Sequence, residues 1–260
     1  MELPLYQIDV FANRRFGGNP ASVCPLQEWL PVETMQAIAT ENNQSETAFF
    51  VPTSDGYELR WFTPTVEVPL CGHATLASGF VVSTFIAPSS HAMRFQTKSG
   101  RLDVMRKGDI FTLDLPAWPS IPTDLSVELT VALGAEPEKL MRAGDIYLAV
   151  YATEDEVRIL SPNMAKLASL PMMGAIVTAP GRDVDFVSRF FAPAIGIPED
   201  PATGGAHCTL IPYWSERLGK NDLHARQISR RGGELFGRLA GDRVMLSGRA
   251  VLYLDGRIHL

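Results

Sequence analysis

Two passages of this chain, half its length apart, carry the same short pattern. Glu67-Val68-Pro69-Leu70-Cys71-Gly72-His73-Ala74 and Glu199-Asp200-Pro201-Ala202-Thr203-Gly204-Gly205-Ala206 share E-x-P-x-x-G-x-A at an offset of 132. Upstream, Arg60-Trp61-Phe62-Thr63-Pro64 is answered by Arg189-Phe190-Phe191-Ala192-Pro193. Downstream, His91-Ala92, Gly100 and Gly108-Asp109 recur as His224-Ala225, Gly233 and Gly241-Asp242 at an offset of 133. A period this long, seen twice, is no solenoid. It predicts two domain-sized halves of one design and places whatever they hold at the seam between them.

Each half reads in the same order. In the first, Leu5–Val10 and Ser22–Cys24 pattern as strands, Val32–Thr40 as a helix, and Thr47–Val51 and Tyr57–Phe62 as strands. Ala74–Phe85 is apolar on nearly every face, so it predicts a helix buried on all sides. Met93–Thr97, Arg101–Met105 and Ile110–Leu115 alternate and are joined by Ser-Gly and Lys-Gly-Asp turns, as antiparallel strands are. The second half repeats this with strands near Ile146–Tyr151 and Ala175–Thr178, a helix across Asn163–Ser169, and a central helix after Thr203-Gly204-Gly205. The expectation is a strongly curved sheet around one central helix, twice. Pro116 to Pro122 holds three prolines and reads as the linker. The halves are therefore set at 1–118 and 119–260, with pairing of the last strand back onto the first half left open.

A net charge of −6, with no run of Lys or Arg, excludes a phosphate-tracking surface for nucleic acid. The first residues lack a basic, then apolar, leader pattern, so no secretory signal is expected. The longest charge-free stretch, Val68 to Met93, includes Pro, Gly, Ser, Thr and His and reads as a buried core helix, not a membrane span. Three cysteines in no framework spacing suit a reducing cytoplasm. Cys24 and Cys208 read as small core residues. No dinucleotide, Walker or H-E-x-x-H motif is present, and no cofactor is expected. A zinc site from Cys71, His73, His207 and Cys208 lacks the C-x-x-C spacing that would argue for one.

Both repeats put glycine at the start of a buried helix, where first-turn amides are unpaired donors with partial positive charge. Two such starts, at Gly72-His73 and Gly204-Gly205, suit an anion, most naturally a substrate carboxylate. The residues that break the symmetry point to the reaction. Glu46 opens an apolar strand where the second half has Gly174, His73 stands against Gly205, and Asp200 against Val68. Burial would raise the Glu46 pKa toward neutrality, while helix-start amides would oppose this. Glu46, His73 and Asp200 form a candidate proton-handling set; each alone is as readily a turn or helix-end residue. Cys71 before a helix start is a candidate nucleophile, although Cys-x-His in one helix start is not expected to bring sulfur and imidazole face to face.

Taken together, Phe16-Gly17-Gly18-Asn19-Pro20, Ser45-Glu46-Thr47-Ala48, Phe62-Thr63-Pro64, Glu67 to Thr75 and Glu199 to Gly204 resemble the PhzF-like (phenazine biosynthesis-like) proteins. The resemblance runs over nearly the whole chain. It implies the fold of diaminopimelate epimerase: α+β, two pseudo-symmetric halves, each a barrel-like, mostly antiparallel sheet around a central helix. It also implies a cofactor-independent isomerase, in which a Glu at the position of Glu46 moves a proton, assisted by the residues matching His73 and Asp200. Asn19, Ser45, Gly72, Thr203, Gly204 and Gly205 would bind substrate. Related epimerases use two opposed cysteines; Cys71 matches the first, but Ala202 and Thr203 stand where the second would be. The family motif commonly continues Thr-Gly-Ser-Ala-His, where this chain has Gly205.

The expected activity is therefore an isomerase moving a proton on a small carboxylate-bearing molecule. The expected partners are that substrate and a second copy of the chain in a homodimer, without nucleic acid or membrane. The alternatives are a non-catalytic anion-binding protein, favoured by Gly205, and a cysteine-dependent racemase or hydrolase using Cys71.

Overall fold

The computed structural model describes residues 1–260. In chain order, the first half forms β1 (Glu2–Val10), β2 (Asn19–Pro25), α1 (Val32–Asn42), β3 (Glu46–Thr53), β4 (Gly56–Phe62), β5 (Glu67–Val68), α2 (Gly72–Val81), β6 (Ala92–Thr97), β7 (Gly100–Lys107) and β8 (Ile110–Pro116). Then follow β9 (Ile121–Thr123), α3 (Val127–Leu133), β10 (Lys139–Ala143), β11 (Ile146–Val150), α4 (Glu154–Ile159), α5 (Met164–Ala168), β12 (Gly174–Pro180) and β13 (Phe186–Ala192). The chain ends with β14 (Ile197–Asp200), α6 (Gly204–Leu218), β15 (Asp222–Gln227), β16 (Gly233–Ala240) and β17 (Arg243–His259).

These elements fall into two compact units, one of residues 1–115 and 245–260, the other of residues 116–244. This differs from a division at 118/119 because β17 pairs antiparallel with β1, from Glu2↔His259 to Val10↔Ala250. A backbone ladder of that length holds the final residues with the first unit.

In the first unit the strands close on themselves in the order β1-β2-β3-β4-β6-β7-β8-β17 and back to β1. The β2–β3 and β4–β6 pairs are parallel, whereas β1–β2, β3–β4, β6–β7, β7–β8 and β1–β17 are antiparallel. Closure removes sheet edges and turns alternate side chains inward. The burial of β6 and β8 alternates strictly. Inside lies α2, buried from His73 to Val81 except at Phe80. Its hydroxyls stay satisfied because Thr75 donates to the Cys71 carbonyl (2.6 Å) and Ser78 to that of Ala74 (2.8 Å). A Cβ at Gly79 would lie 2.6 Å from a Val104 methyl, so glycine lets α2 press against the barrel wall. The helix expected as far as Phe85 changes to a π-turn over Val82–Ile86, and Phe85 emerges to stack on Tyr6 at 4.6 Å.

The second unit repeats the plan, with parallel β11–β12 and β13–β15 pairs where the first has β2–β3 and β4–β6. Its core gathers Leu133, Tyr151, Leu160, Leu167 and Phe191. The central helix here is α6, and Gly237 of β16 leaves room for the Ile211 side chain. Pro212 lies inside α6 and cannot donate to the Cys208 carbonyl. The Trp118 amide donates to it at 2.9 Å, so the proline costs no orphaned acceptor. The fold is α+β and diaminopimelate epimerase-like. No helix is long and apolar enough to cross a membrane.

Candidate active site

Three element starts in the first unit converge on His73. Gly18, at φ +60 and with the Val10 carbonyl where a Cβ would go, turns the chain into β2 so that Asn19 is its first residue. Ser45 and Glu46 enter β3, with Glu46 opposite Ala21 in the parallel ladder. Cys71 is the N-cap of α2 and His73 its second residue.

The imidazole is contacted on both nitrogens. Nε2 lies 3.1 Å from Glu46 Oε2 and 3.3 Å from Ser45 Oγ. Nδ1 lies 3.5 Å from both Cys71 Sγ and Asn19 Nδ2. The Ser45 hydroxyl has the Pro20 carbonyl at 3.0 Å, the imidazole and the Glu46 carboxyl as alternative partners. Glu46 is 9% exposed, and its Oε2 has no hydrogen bond despite the nearby ring.

The charges follow from this geometry. Burial pushes the Glu46 carboxyl up, but the charge and N–H of His73, the Ser45 hydroxyl and the Cys71 thiol outweigh it, so the net displacement is downward. Burial pushes His73 down, yet Cys71 and Glu46 raise it well above its ordinary value. Burial, and then Glu46, hold the Cys71 thiol up against the opposing pull of His73. Glu46 is thus drawn toward the carboxylate and His73 toward its protonated form, each against what burial alone suggests.

The opposition of Cys71 and His73 corrects the sequence-based expectation. As N-cap, Cys71 has an extended backbone (φ −147, ψ 109), so its side chain does not follow the helical rotation that would separate it from His73.

In the second unit, Thr203 caps α6 in position but not through its side chain. Its hydroxyl instead donates to Asp200 Oδ2. Gln227, buried and unremarked in the sequence, ties this loop together. Its amide donates to the Asp200 carbonyl (2.7 Å) and Thr203 Oγ1 (3.0 Å), and its oxygen accepts from the Thr203 amide (2.8 Å). His207 Nδ1 lies 2.8 Å from the Thr203 carbonyl, and burial takes its pKa down to about 4. Cys208 Sγ turns to the Gly204 carbonyl at 3.7 Å, so His207 and Cys208 serve their own helix.

Both E-x-P-x-x-G-x-A loops use their first Glu in the same way. Glu67 takes a bidentate grip from Arg60 (2.8 and 2.9 Å), and Glu199 one from Arg189 (2.7 and 3.1 Å). Such forks are geometrically specific, which explains why the Arg and the Glu repeat together. Neither α2 nor α6 has a side-chain cap, so each repeat presents first-turn amides that no N-cap side chain occupies.

A sequence profile described as phenazine biosynthesis-like protein matches residues 8–256. The chain belongs to the phenazine biosynthesis-like family. A Pseudomonas aeruginosa protein named an uncharacterized isomerase is 50% identical over 260 residues, covering 100% of both chains. A Halalkalibacterium halodurans protein, also named an uncharacterized isomerase, is 44% identical over 264 residues with the same full coverage. The crystal structure of a PhzF-family phenazine biosynthesis protein from Enterococcus faecalis is 42% identical, covers 100% of both chains and superimposes with a TM-score of 0.97. Isomerase-type activity comes with this membership.

The structure also accounts for the absence of a second glutamate. Gly174 opens β12 beside Ile146 as Glu46 opens β3 beside Ala21. A Cβ there would lie 2.7 Å from the Phe190 ring and 2.9 Å from the Phe191 carbonyl. The second unit has filled that position with an aromatic ring.

Proposed function

We propose that the protein is a cofactor-independent isomerase in which Glu46 takes a proton from carbon on a small carboxylate-bearing molecule and returns it at another position. The observation that carries this reading is the buried Glu46 carboxyl group 3.1 Å from the His73 imidazole, with one oxygen lacking a hydrogen bond and its pKa drawn downward by its neighbours. A base needs an available lone pair and a charge balance that survives its own protonation. His73 supplies that balance: its charge holds Glu46 ready as a base and lowers the cost of the carbanion-like charge that develops on substrate. The helix-start amides at Gly72-His73 suit the substrate carboxylate, and Gly204-Gly205 offer donors of the same kind in the second unit. Asn19 and Ser45 bind substrate beside the base, and Thr203 and Asp200 supply a second polar, proton-bearing set. The three cysteines are free, which fits a reducing cytoplasm. The homodimer belongs to the same reading and is checked by light scattering.

One observation favours a second reading. Cys71 and His73 are in contact, as in thiol-dependent enzymes. The raised thiol pKa weighs against it, because the proton stays on sulfur. Turnover of a panel of small amino, hydroxy and unsaturated acids separates the two. Cys71→Ser retains most of the wild-type rate if Glu46 is the base, and iodoacetamide acts weakly. A dead Cys71→Ser that still folds, with Glu46→Gln active, reverses the assignment.

A further inference from the structure

We propose that Glu46, Cys71 and His73 form a binding site for one divalent ion of the zinc class, whose occupation silences the carboxylate. The inference rests on the donor set and holds whatever reaction the site performs. One ligand atom from each residue, a carboxylate oxygen, a sulfur and an imidazole nitrogen, lies within 4.8 Å of the others, and all three residues are buried. Zinc bond lengths of about 2.0–2.3 Å put ligand atoms of a tetrahedral site roughly 3.3–3.8 Å apart. Closing the set on one ion requires the imidazole to turn so that a single nitrogen faces both Cys71 Sγ, now nearest Nδ1, and Glu46 Oε2, now nearest Nε2.

A second observation concerns the carboxylate itself. Glu46 Oε2 is fully buried without a hydrogen bond; the imidazole Nε2 lies 3.1 Å away but out of line for one. An acceptor left in that state is costly to bury, and a cation satisfies it more fully than the off-line ring contact. The three ligands come from the start of β3 and the start of α2, both packed in the barrel, so the site is held by backbone and not by mobile loops.

The chemistry of the set selects the ion. Thiolate and imidazole favour zinc, cobalt or cadmium over magnesium and calcium, which prefer all-oxygen shells. On binding, the thiol and the protonated imidazole each release a proton to solvent, a sulfur and a freed ring nitrogen bond the ion, and the carboxylate closes the third position. The fourth takes water or an anion. These ligands differ from the Cys71, His73, His207 and Cys208 set, since His207 and Cys208 bond within α6. Because Glu46 is one ligand, a bound ion removes the lone pair that proton transfer needs, and zinc inhibits reversibly.

Cobalt(II) added to the metal-free full chain tests this. The expected result is thiolate-to-cobalt charge-transfer absorption that saturates at one ion per chain and is displaced by zinc. Cys24→Ser and Cys208→Ser keep the band, and Cys71→Ser loses it. Glu46→Gln, which leaves the thiol in place, retains the band but weakens binding by more than about tenfold, as expected for loss of a ligand. No band in the wild type, a band that survives Cys71→Ser, or unchanged affinity in Glu46→Gln overturns the site. Magnesium serves as the negative arm: if it competes with cobalt at equal concentration, the selectivity argument fails.

Discussion

At the scale of single residues, the candidate chemistry depends on what surrounds Glu46 and His73. Glu46→Gln preserves shape and removes the base, so turnover should fall by about 10²–10⁴-fold. Folding survives, because His73 can release its proton once the carboxylate is gone and leaves no uncompensated charge. Circular dichroism beside the rate measurement checks both halves of that statement. His207 offers a pH prediction free of the site's chemistry. Its folded pKa of about 4 lies below the ordinary 6.5, so between these values the unfolded chain binds the extra proton. Stability therefore falls as pH drops from 6.5 toward 4, by about 3 kcal/mol in all for this one group. Urea midpoints of wild type and His207→Gln across that range should differ in slope, with the variant flatter; equal slopes contradict the assignment. Glu46, His73 and Asp200 stand out in the sequence as candidates because each breaks the repeat. Gln227 does not: it sits at the end of an ordinary strand, and only the folded loop brings it to Asp200 and Thr203.

Among the elements, the two central helices explain what the repeat preserves. Gly79→Ala puts a carbon 2.6 Å from a Val104 methyl in a closed barrel, and overpacking of this kind costs about 1–3 kcal/mol. Gly205 behaves in the opposite way. A Cβ there meets only the Trp118 ring, at 3.8 Å, so Gly205→Ser should fold with stability within about 1 kcal/mol of wild type. Thermal melts of the two variants, side by side, test whether glycine is required for packing at one helix and not at the other. The long strands and central helices were readable from alternation and all-round apolarity. Helices α3 and α4, of 7 and 6 residues, were not, because two turns carry too little periodicity. Their caps, Ser126 and Thr153, were the available signal. The Cys71–His73 contact is hidden in the sequence for a local reason: helical geometry would separate the two, but Cys71 is the helix's cap and has an extended backbone.

For the whole molecule, the sequence repeat became two units on one plan, chemically unequal. The first keeps a carboxylate, an imidazole and a thiol together. The second fills the glutamate's place with Phe190 and builds a hydroxyl–carboxylate–amide loop instead. Proton transfer at carbon, initiated by Glu46, is the reading that uses this inequality. It is tested most directly by running the turnover of a converted carboxylic acid in deuterium oxide and following label by NMR. The expected result is deuterium at the carbon that gains a proton, with the rate of its appearance reduced by about 10²–10⁴-fold in Glu46→Gln. Product formed without carbon-bound label, or labelled at the wild-type rate by Glu46→Gln, contradicts it.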